Sequence, residues 1–175
     1  MTGLEVTTPS DREIELTREF DAPARLIFDA LTRPELLPRW HGARGWHLVV
    51  CEVDLRVGGA WRFVSRGPDG MEMSHGGTYR VIDRPHRLVF TESYDAQWVA
   101  GEALVSTALA EANGRTTMTT TVRYPSREIR DGALNSPMRR GLTESYAELD
   151  TVLDNLLDNT LETTLEDLRH KEIHP

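Results

Sequence analysis

Residues 136–159 read SPMRRGLTESYAELDTVLDNLLDN, and how this stretch folds decides the architecture of the chain. Ser136 is suited to cap a helix, and Pro137 fits the first helical position, where its missing N–H costs nothing. Met138, Leu142, Tyr146, Leu149, Leu153 and Leu156 then recur every three or four residues, the period of one helix face. Arg139, Thr143, Asp150 and Asp154 follow them on the polar side. Such a helix is about 36 Å long, enough to cross a small domain. Most of what precedes it reads as strand, so its apolar stripe calls for a sheet face to lie on.

Working backwards from the helix, six segments have period two: Trp46–Val53, Ala60–Ser65, Met73–Ile82, His86–Tyr94, Glu102–Ala110 and Thr116–Tyr124. Gly58-Gly59, Pro68-Asp69-Gly70, Asp83-Arg84-Pro85 and Asn113-Gly114 separate them, and connections this short make neighbours antiparallel. Residues 95–101 form the one longer gap, an expected exposed loop with Trp98. Upstream, Ile14, Leu16, Arg18 and Phe20 alternate with Glu13, Glu15, Thr17 and Glu19 as a half-buried strand. Asp21-Ala22-Pro23 opens a short helix with Leu26, Ile27, Ala30 and Leu31; Thr32-Arg33-Pro34-Glu35 opens a second with Leu36, Leu37 and Trp40. The pattern predicts an α+β helix-grip fold: a curved, seven-stranded antiparallel sheet around one long C-terminal helix, with two short helices after the first strand.

At 175 residues the chain is one domain of ordinary size, with 27% charged and 39% hydrophobic residues. No apolar run reaches the length of a membrane span, the N-terminus lacks a signal-peptide pattern, and the single Cys51 leaves no internal disulfide, so a cytoplasmic setting is expected. The net charge of −8 argues against nucleic acid or anionic membrane as a partner. Between Gly141 and Leu168 there is no Lys or Arg, while Glu144, Glu148, Asp150, Asp154, Asp158, Glu162, Glu166 and Asp167 are all acidic. A solvated helix face explains that run; a docking surface for a basic partner is the alternative.

Strand parity groups Trp61 and Phe63 with Ser65; Met73, His75 and Tyr79 with Val81; Leu88, Phe90 and Glu92 with His86 and Tyr94; and Leu104 and Ser106 with Ala108. Each set mixes large apolar side chains with a polar group, the composition of a ligand pocket. His75, Tyr79 and Glu92 could do acid–base work, although their spacing matches no catalytic signature. The histidines His41, His47, His75, His86, His170 and His174 show no metal-ligand spacing, Cys51 reads as a small buried hydrophobe, and no glycine loop is built to cradle phosphate. No cofactor or metal is expected.

Phe20-Asp21-Ala22-Pro23, Pro34-Glu35-Leu36 through Arg39-Trp40, residues 51–59 (CEVDLRVGG), Trp61-Arg62-Phe63, residues 66–70 (RGPDG), Gly77-Thr78-Tyr79 and residues 87–92 (RLVFTE) together resemble homologues of the activator of heat-shock protein ninety ATPase. These are Aha-type members of the START-like, birch-pollen-allergen-like (SRPBCC) helix-grip superfamily, and the likeness runs from about Arg12 to Leu157. The resemblance implies a space between sheet and long helix that takes small apolar molecules. It also implies two alternatives: a co-chaperone-like interaction module, or a cyclase- or hydrolase-like enzyme in the same cavity. No catalytic motif carries over. His41 departs from the pattern, since similar sequences usually place a second tryptophan after Trp40, and this should make that end of the pocket more polar. The candidate lining is Trp40, His41, Trp61, Phe63, Met73, His75, Tyr79, Leu88, Phe90, Glu92, Leu104, Ser106, Met138, Leu142, Tyr146 and Leu149.

The expected domain spans residues 12–158, after a flexible N-terminus (1–11). Residues 159–175 form a helical extension or a frayed tail. Leu149, Leu153, Leu157, Leu161 and Leu165 form a row at spacing four, with Leu168 next, and no glycine or proline interrupts Leu142–Ile173. A leucine row beyond the reach of the sheet predicts self-association through the C-terminal helix or folding back onto the body. A chaperone is the other partner to expect.

Overall fold

A computed structural model of the chain describes residues 3–95 and 99–173. Trp98 and His174, and the loop expected around Trp98, therefore lie in whole or in part outside the described residues. Eight strands form one antiparallel sheet: β1 (Glu5–Thr7), β2 (Glu13–Phe20), β3 (His47–Val53), β4 (Ala60–Arg66), β5 (Glu72–Asp83), β6 (Arg87–Tyr94), β7 (Glu102–Ala112) and β8 (Arg115–Arg123). Their spatial order is β1-β2-β8-β7-β6-β5-β4-β3. From β3 to β8 each strand lies beside the next, as the turn signals require. Asn113 and Gly114 take φ of 54° and 75°, the left-handed pair that a tight hairpin between twisted strands needs. Helix α1 (Ala24–Thr32) and a single 3-10 turn (Leu37–Arg39) make the connection from β2 to β3, and α2 (Arg127–Leu134) and α3 (Met138–Ile173) follow β8.

The α+β helix-grip architecture stands as the sequence predicts, with eight strands instead of seven. The eighth is β1, which pairs Val6 with Leu16 of β2 within the segment expected to be flexible. Three residues are too few to show an alternation, and the apolar anchors are buried Leu4 and half-buried Val6. Helix α2 was also illegible. Ser126 caps it, accepting from the Ile129 N–H at 3.2 Å, but the buried position that should have been apolar is Arg130. Its guanidinium is satisfied by the Ser10 carbonyl at 2.9 Å and the Asp131 carboxylate at 2.7 Å. The second short helix shrinks to the 3-10 turn because Pro38 stands inside it.

Helix α3 lies on the inner face of the sheet. Tyr146, Leu149, Val152 and Leu153 share one core cluster with Ile14, Leu16, Phe20, Leu88, Val105, Leu109, Met118 and Val122. Leu149 and Leu153 are 0% and 2% exposed. Tyr146 meets Phe20 edge-on at 5.8 Å. Asp150, one member of the acidic row, turns to the sheet instead of the solvent: Arg18 of β2 donates to its carboxylate at 3.0 Å and to the Tyr146 carbonyl at 3.3 Å. The same guanidinium stacks over Phe20 at 4.5 Å. This pair clamps the middle of the helix to the edge half of the sheet.

Two parities change. On β5 the register slips after Tyr79, so Val81 stands opposite outward Val89 and Ile82 takes the inner place opposite Leu88. On β7 the inner face carries Ala103, Val105, Thr107 and Leu109, all buried, whereas Leu104 is 42% exposed and Ser106 faces outward with it. The register explains this, since Val105 stands opposite Phe90 on one side and Val122 on the other. Both of those belong to the inner set.

Leu149→Ala or Leu153→Ala should lower stability by ~2–5 kcal/mol in urea melts, because the sheet cannot close on the space left. Thr143→Ala, exposed and bonded only to the Arg139 carbonyl, should change it by less than ~0.5 kcal/mol. Equal effects at all three positions would mean the helix buries a different face.

Candidate functional site

The polar side chains of the inner face gather at its β4–β5 end, and each is positioned by its own element. On β4, Trp61, Phe63 and Ser65 point inward in alternation; on β5, Met73, His75 and Gly77 stand opposite Ser65, Phe63 and Trp61 in turn. Gly77 is needed there. A Cβ at that position would stand 1.8 Å from the Thr91 carbonyl oxygen, the atom that accepts the Trp61 indole N–H at 3.1 Å. On β6, Glu92 and Tyr94 share the inward parity, and Tyr94 pairs with His75.

His41 reaches this end from the loop after the 3-10 turn, and that loop is tied to α3 and α1. Ser145 Oγ donates to the Trp40 carbonyl at 3.0 Å and accepts from the Gly42 N–H at 2.9 Å. Glu144 accepts from the Arg44 N–H at 2.8 Å, which, with Arg140 beside it, holds its carboxyl below the usual carboxylate range. The Trp40 indole donates to the Ala30 carbonyl at 2.9 Å. The His41 ring is thereby held between Trp40 (5.6 Å), Phe63 (5.2 Å, edge-on) and His75 (5.8 Å).

His75 is the centre of the cluster. It is buried, stacks on Tyr94 at 4.7 Å, and meets the edges or faces of Trp61 (5.2 Å) and Phe63 (5.6 Å). Its Nδ1 lies 3.1 Å from Glu92 Oε2. A carboxylate can only accept, so this contact places a proton on Nδ1, and in the neutral ring Nε2 is then the acceptor. That Nε2 is shut off from water and has no protein partner; the same holds for His41 Nδ1 and Ser65 Oγ. Three unpartnered buried polar atoms on one end of an inner face, walled by Trp61, Phe63 and Tyr94, are a concentrated exception to the rule that buried polar groups are bonded.

The electrostatics follow from burial. Although the His41 side chain is only half-buried by area, its Nδ1 is closed to solvent. Desolvation, then the neighbouring His75, lower its pKa from 6.5 to about 3. Burial followed by the Glu92 charge raises Tyr94 well above the ordinary phenol value and pushes Tyr124 up to about 12. Tyr79 is raised by burial as well, with Cys51 contributing, and Tyr146 reaches about 12 by burial. The site therefore holds neutral phenols and a neutral imidazole around one carboxylate. Among the described residues, no three or more His, Cys, Asp or Glu side chains gather as a metal-binding set.

The expected lining residues divide into three groups. Trp40, His41, Trp61, Phe63, His75 and Glu92 come together at the polar end, with Phe90 5.3 Å from Trp61 and half-buried Met73 opposite Ser65. Tyr79, Leu88, Tyr146 and Leu149 are packed core, with Met138 and Leu142 against it. Leu104 and Ser106 are on the wrong face; Leu104 lines an open outer hollow of about 500 Å³ with Arg80, Val89, Thr91, Arg123 and Tyr124. Of the suspected acid–base trio, His75 and Glu92 meet, but Tyr79 packs on Phe90 (6.2 Å) and the phenols near Glu92 are Tyr94 and Tyr124. Ser65 and Tyr94 were missing from the expected lining, although parity places both on this face. A second hollow, of about 290 Å³, opens beside His41 between Trp40, Trp46, Glu144 and Glu148. His41 thus lines a surface hollow while its ring contacts buried His75.

A curled antiparallel sheet gripping a long helix, with a polar-tipped aromatic end, defines a START-like helix-grip domain. The sequence profile of the activator of Hsp90 ATPase homolog 1-like proteins matches residues 21–154, and the chain belongs to that family. A crystal structure of a Rhodobacter sphaeroides protein is similar at 34% identity and a TM-score of 0.83, covering 88% of this chain and 99% of its own. A Nitrosomonas europaea protein (22% identity, TM-score 0.77, covering 86% and 99%) and the AHSA1 protein of Silicibacter pomeroyi (22%, 0.66, 81% and 97%) share the fold. No curated protein matches the sequence. Among the described residues no helix is long and apolar enough to cross a membrane.

His41 gives the site a pH signature. Its folded pKa lies below the unfolded value, so unfolding takes up a proton between pH 6.5 and about 3. Stability from this group is complete above 6.5 and drains as the pH falls, by up to about 1.4 kcal/mol per pH unit. Urea melts should therefore show His41→Phe losing less stability than wild type between about pH 7 and about pH 4.5. Identical losses would place His41 in water.

Proposed function

We propose that this domain binds a small amphipathic molecule at the β4–β5 end of the sheet–helix interior. Its apolar body lies against Trp40, Trp61, Phe63 and Phe90, and its polar head offers a hydrogen-bond donor to His75. The observation that supports this reading is the set of unpartnered buried atoms, His75 Nε2, His41 Nδ1 and Ser65 Oγ, within an aromatic wall. A buried polar atom without a partner costs ~1–3 kcal/mol, and a fold that keeps three together gains when a ligand completes them. With its Nδ1–H donating to Glu92, a neutral His75 favours a ligand O–H or N–H over a second bare acceptor. The hollow beside His41 is the side from which such a molecule would approach.

The test uses 2-naphthol and naphthalene, which differ by one hydroxyl. Fluorescence titration should show saturable binding of 2-naphthol, at least about tenfold tighter than naphthalene, and His75→Phe should erase the difference. Ser65→Ala, which removes one unpartnered atom without touching the Glu92–His75 pair, should leave most of it. Absence of saturable binding, or equal affinity for both compounds in wild type, would mean that these atoms are met by water alone and that the ligand reading is wrong.

A further inference from the structure

Beyond Leu157, helix α3 leaves the body of the domain. Every residue from Asp158 to Lys171 is exposed while remaining helical. The projecting part is about 22 Å long at 1.5 Å per residue. Leu161, Leu165 and Leu168 are 62%, 54% and 54% exposed. At about 100° per residue they continue the line of half-buried Leu157 as one stripe. The family profile ends at residue 154, so this stripe lies beyond the part of the helix that the fold itself uses. A solvated helix of this length has little stability of its own, and a leucine stripe in water adds none.

Charge is distributed unevenly along the projection. Asp158, Glu162, Glu166 and Asp167 occupy its base and middle, and Arg169, His170 and Lys171, followed by Glu172, its tip. At the same angular increment, Asp158, Glu162 and Arg169 fall on one flank of the leucine stripe. Two such helices side by side in parallel would set this flank of one copy against the opposite flank of the other at equal heights, keeping Asp158 and Glu162 away from the partner's Arg169. Turned antiparallel, the basic tip of one lies along the acidic base of the other, and the leucines of both meet in the middle. An antiparallel pair also overlaps over the whole projecting length, so that each tip reaches the body of the other copy.

We infer that two copies of this chain associate through the projecting segment of α3, antiparallel, burying Leu161, Leu165 and Leu168 of both. Three leucines per copy fall short of the ~1,200 Å² of a standard stable interface, so the dimer forms reversibly and depends on concentration. Its ion pairs join Arg169 of each copy to Asp158 and Glu162 of the other across the two-fold axis.

Sedimentation equilibrium of the full chain tests this, with the melting temperature confirming that each variant is folded. Wild type should show a monomer–dimer equilibrium, and Leu161→Glu/Leu165→Glu should be monomeric with an unchanged body. Arg169→Glu should weaken the dimer by about tenfold at low salt. Adding Asp158→Lys/Glu162→Lys to that variant should restore it, a rescue that parallel pairing cannot give. A wild-type chain that stays monomeric up to about 1 mM overturns the inference and leaves the stripe to a different partner. A leucine variant that still dimerises, or a charge swap that fails to rescue, overturns the interface or its orientation.

Discussion

The apolar stripe of α3 has to be taken out of water, and one antiparallel sheet, helped by α1 at its end, covers it. Burying Leu149, Val152 and Leu153 against β2, β8 and β7 obliges the sheet to curve, since a flat one would touch the helix along a line. With β2 and β3 far apart in that curved sheet, α1 and the 3-10 turn must bridge them, and they close one end against α3. The Arg18–Asp150 pair sets the position of the helix on the sheet: its polar bonds form only where Asp150 faces β2. A half-buried ion pair of this kind adds little net stability, and is better understood as fixing register.

The same enclosure creates the polar end. Where α3 begins, the loop carrying His41 covers the sheet, and the covering side chains are aromatic and imidazole instead of leucine. A purely structural core would fill that place with apolar atoms, at no desolvation cost. Instead His75 is held in one tautomer by Glu92 and between three aromatic rings, which immobilises it with its second nitrogen unpartnered. Rigid placement of an incomplete polar group is what a binding site requires. Tyr79, Leu88 and Leu149 are packed into the central core and contribute stability.

The sequence made the larger architecture plain because its signals were long or repeated. Six strands of clear alternation, each ended by Gly, Pro or Asn-Gly, leave few topologies, and the helix period of residues 138–156 is unmistakable. Short elements were lost: β1 has three residues, and α2 conceals its buried face behind Arg130. The β7 error has a different origin. Residues 103–109 (ALVSTAL) hold a leucine on either parity, so only pairing with Phe90 and Val122 could settle which side faces in. The polar end was half legible: His75, Glu92 and His41 could be named from parity and from the departure after Trp40. The contacts of His41 could not be read, because these depend on a loop whose path is set by Ser145 and Glu144, far along the chain.

The account rests on His75 presenting a bare Nε2 beside a neutral His41. Long-range proton–nitrogen correlation spectra of the histidine rings measure this directly. The account predicts that His75 carries its proton on Nδ1 with an unprotonated Nε2, and that His41 stays neutral well below pH 6.5, towards about 3. A His75 ring protonated on Nε2 with Nδ1 bare, or a His41 that titrates at the ordinary 6.5, would contradict it.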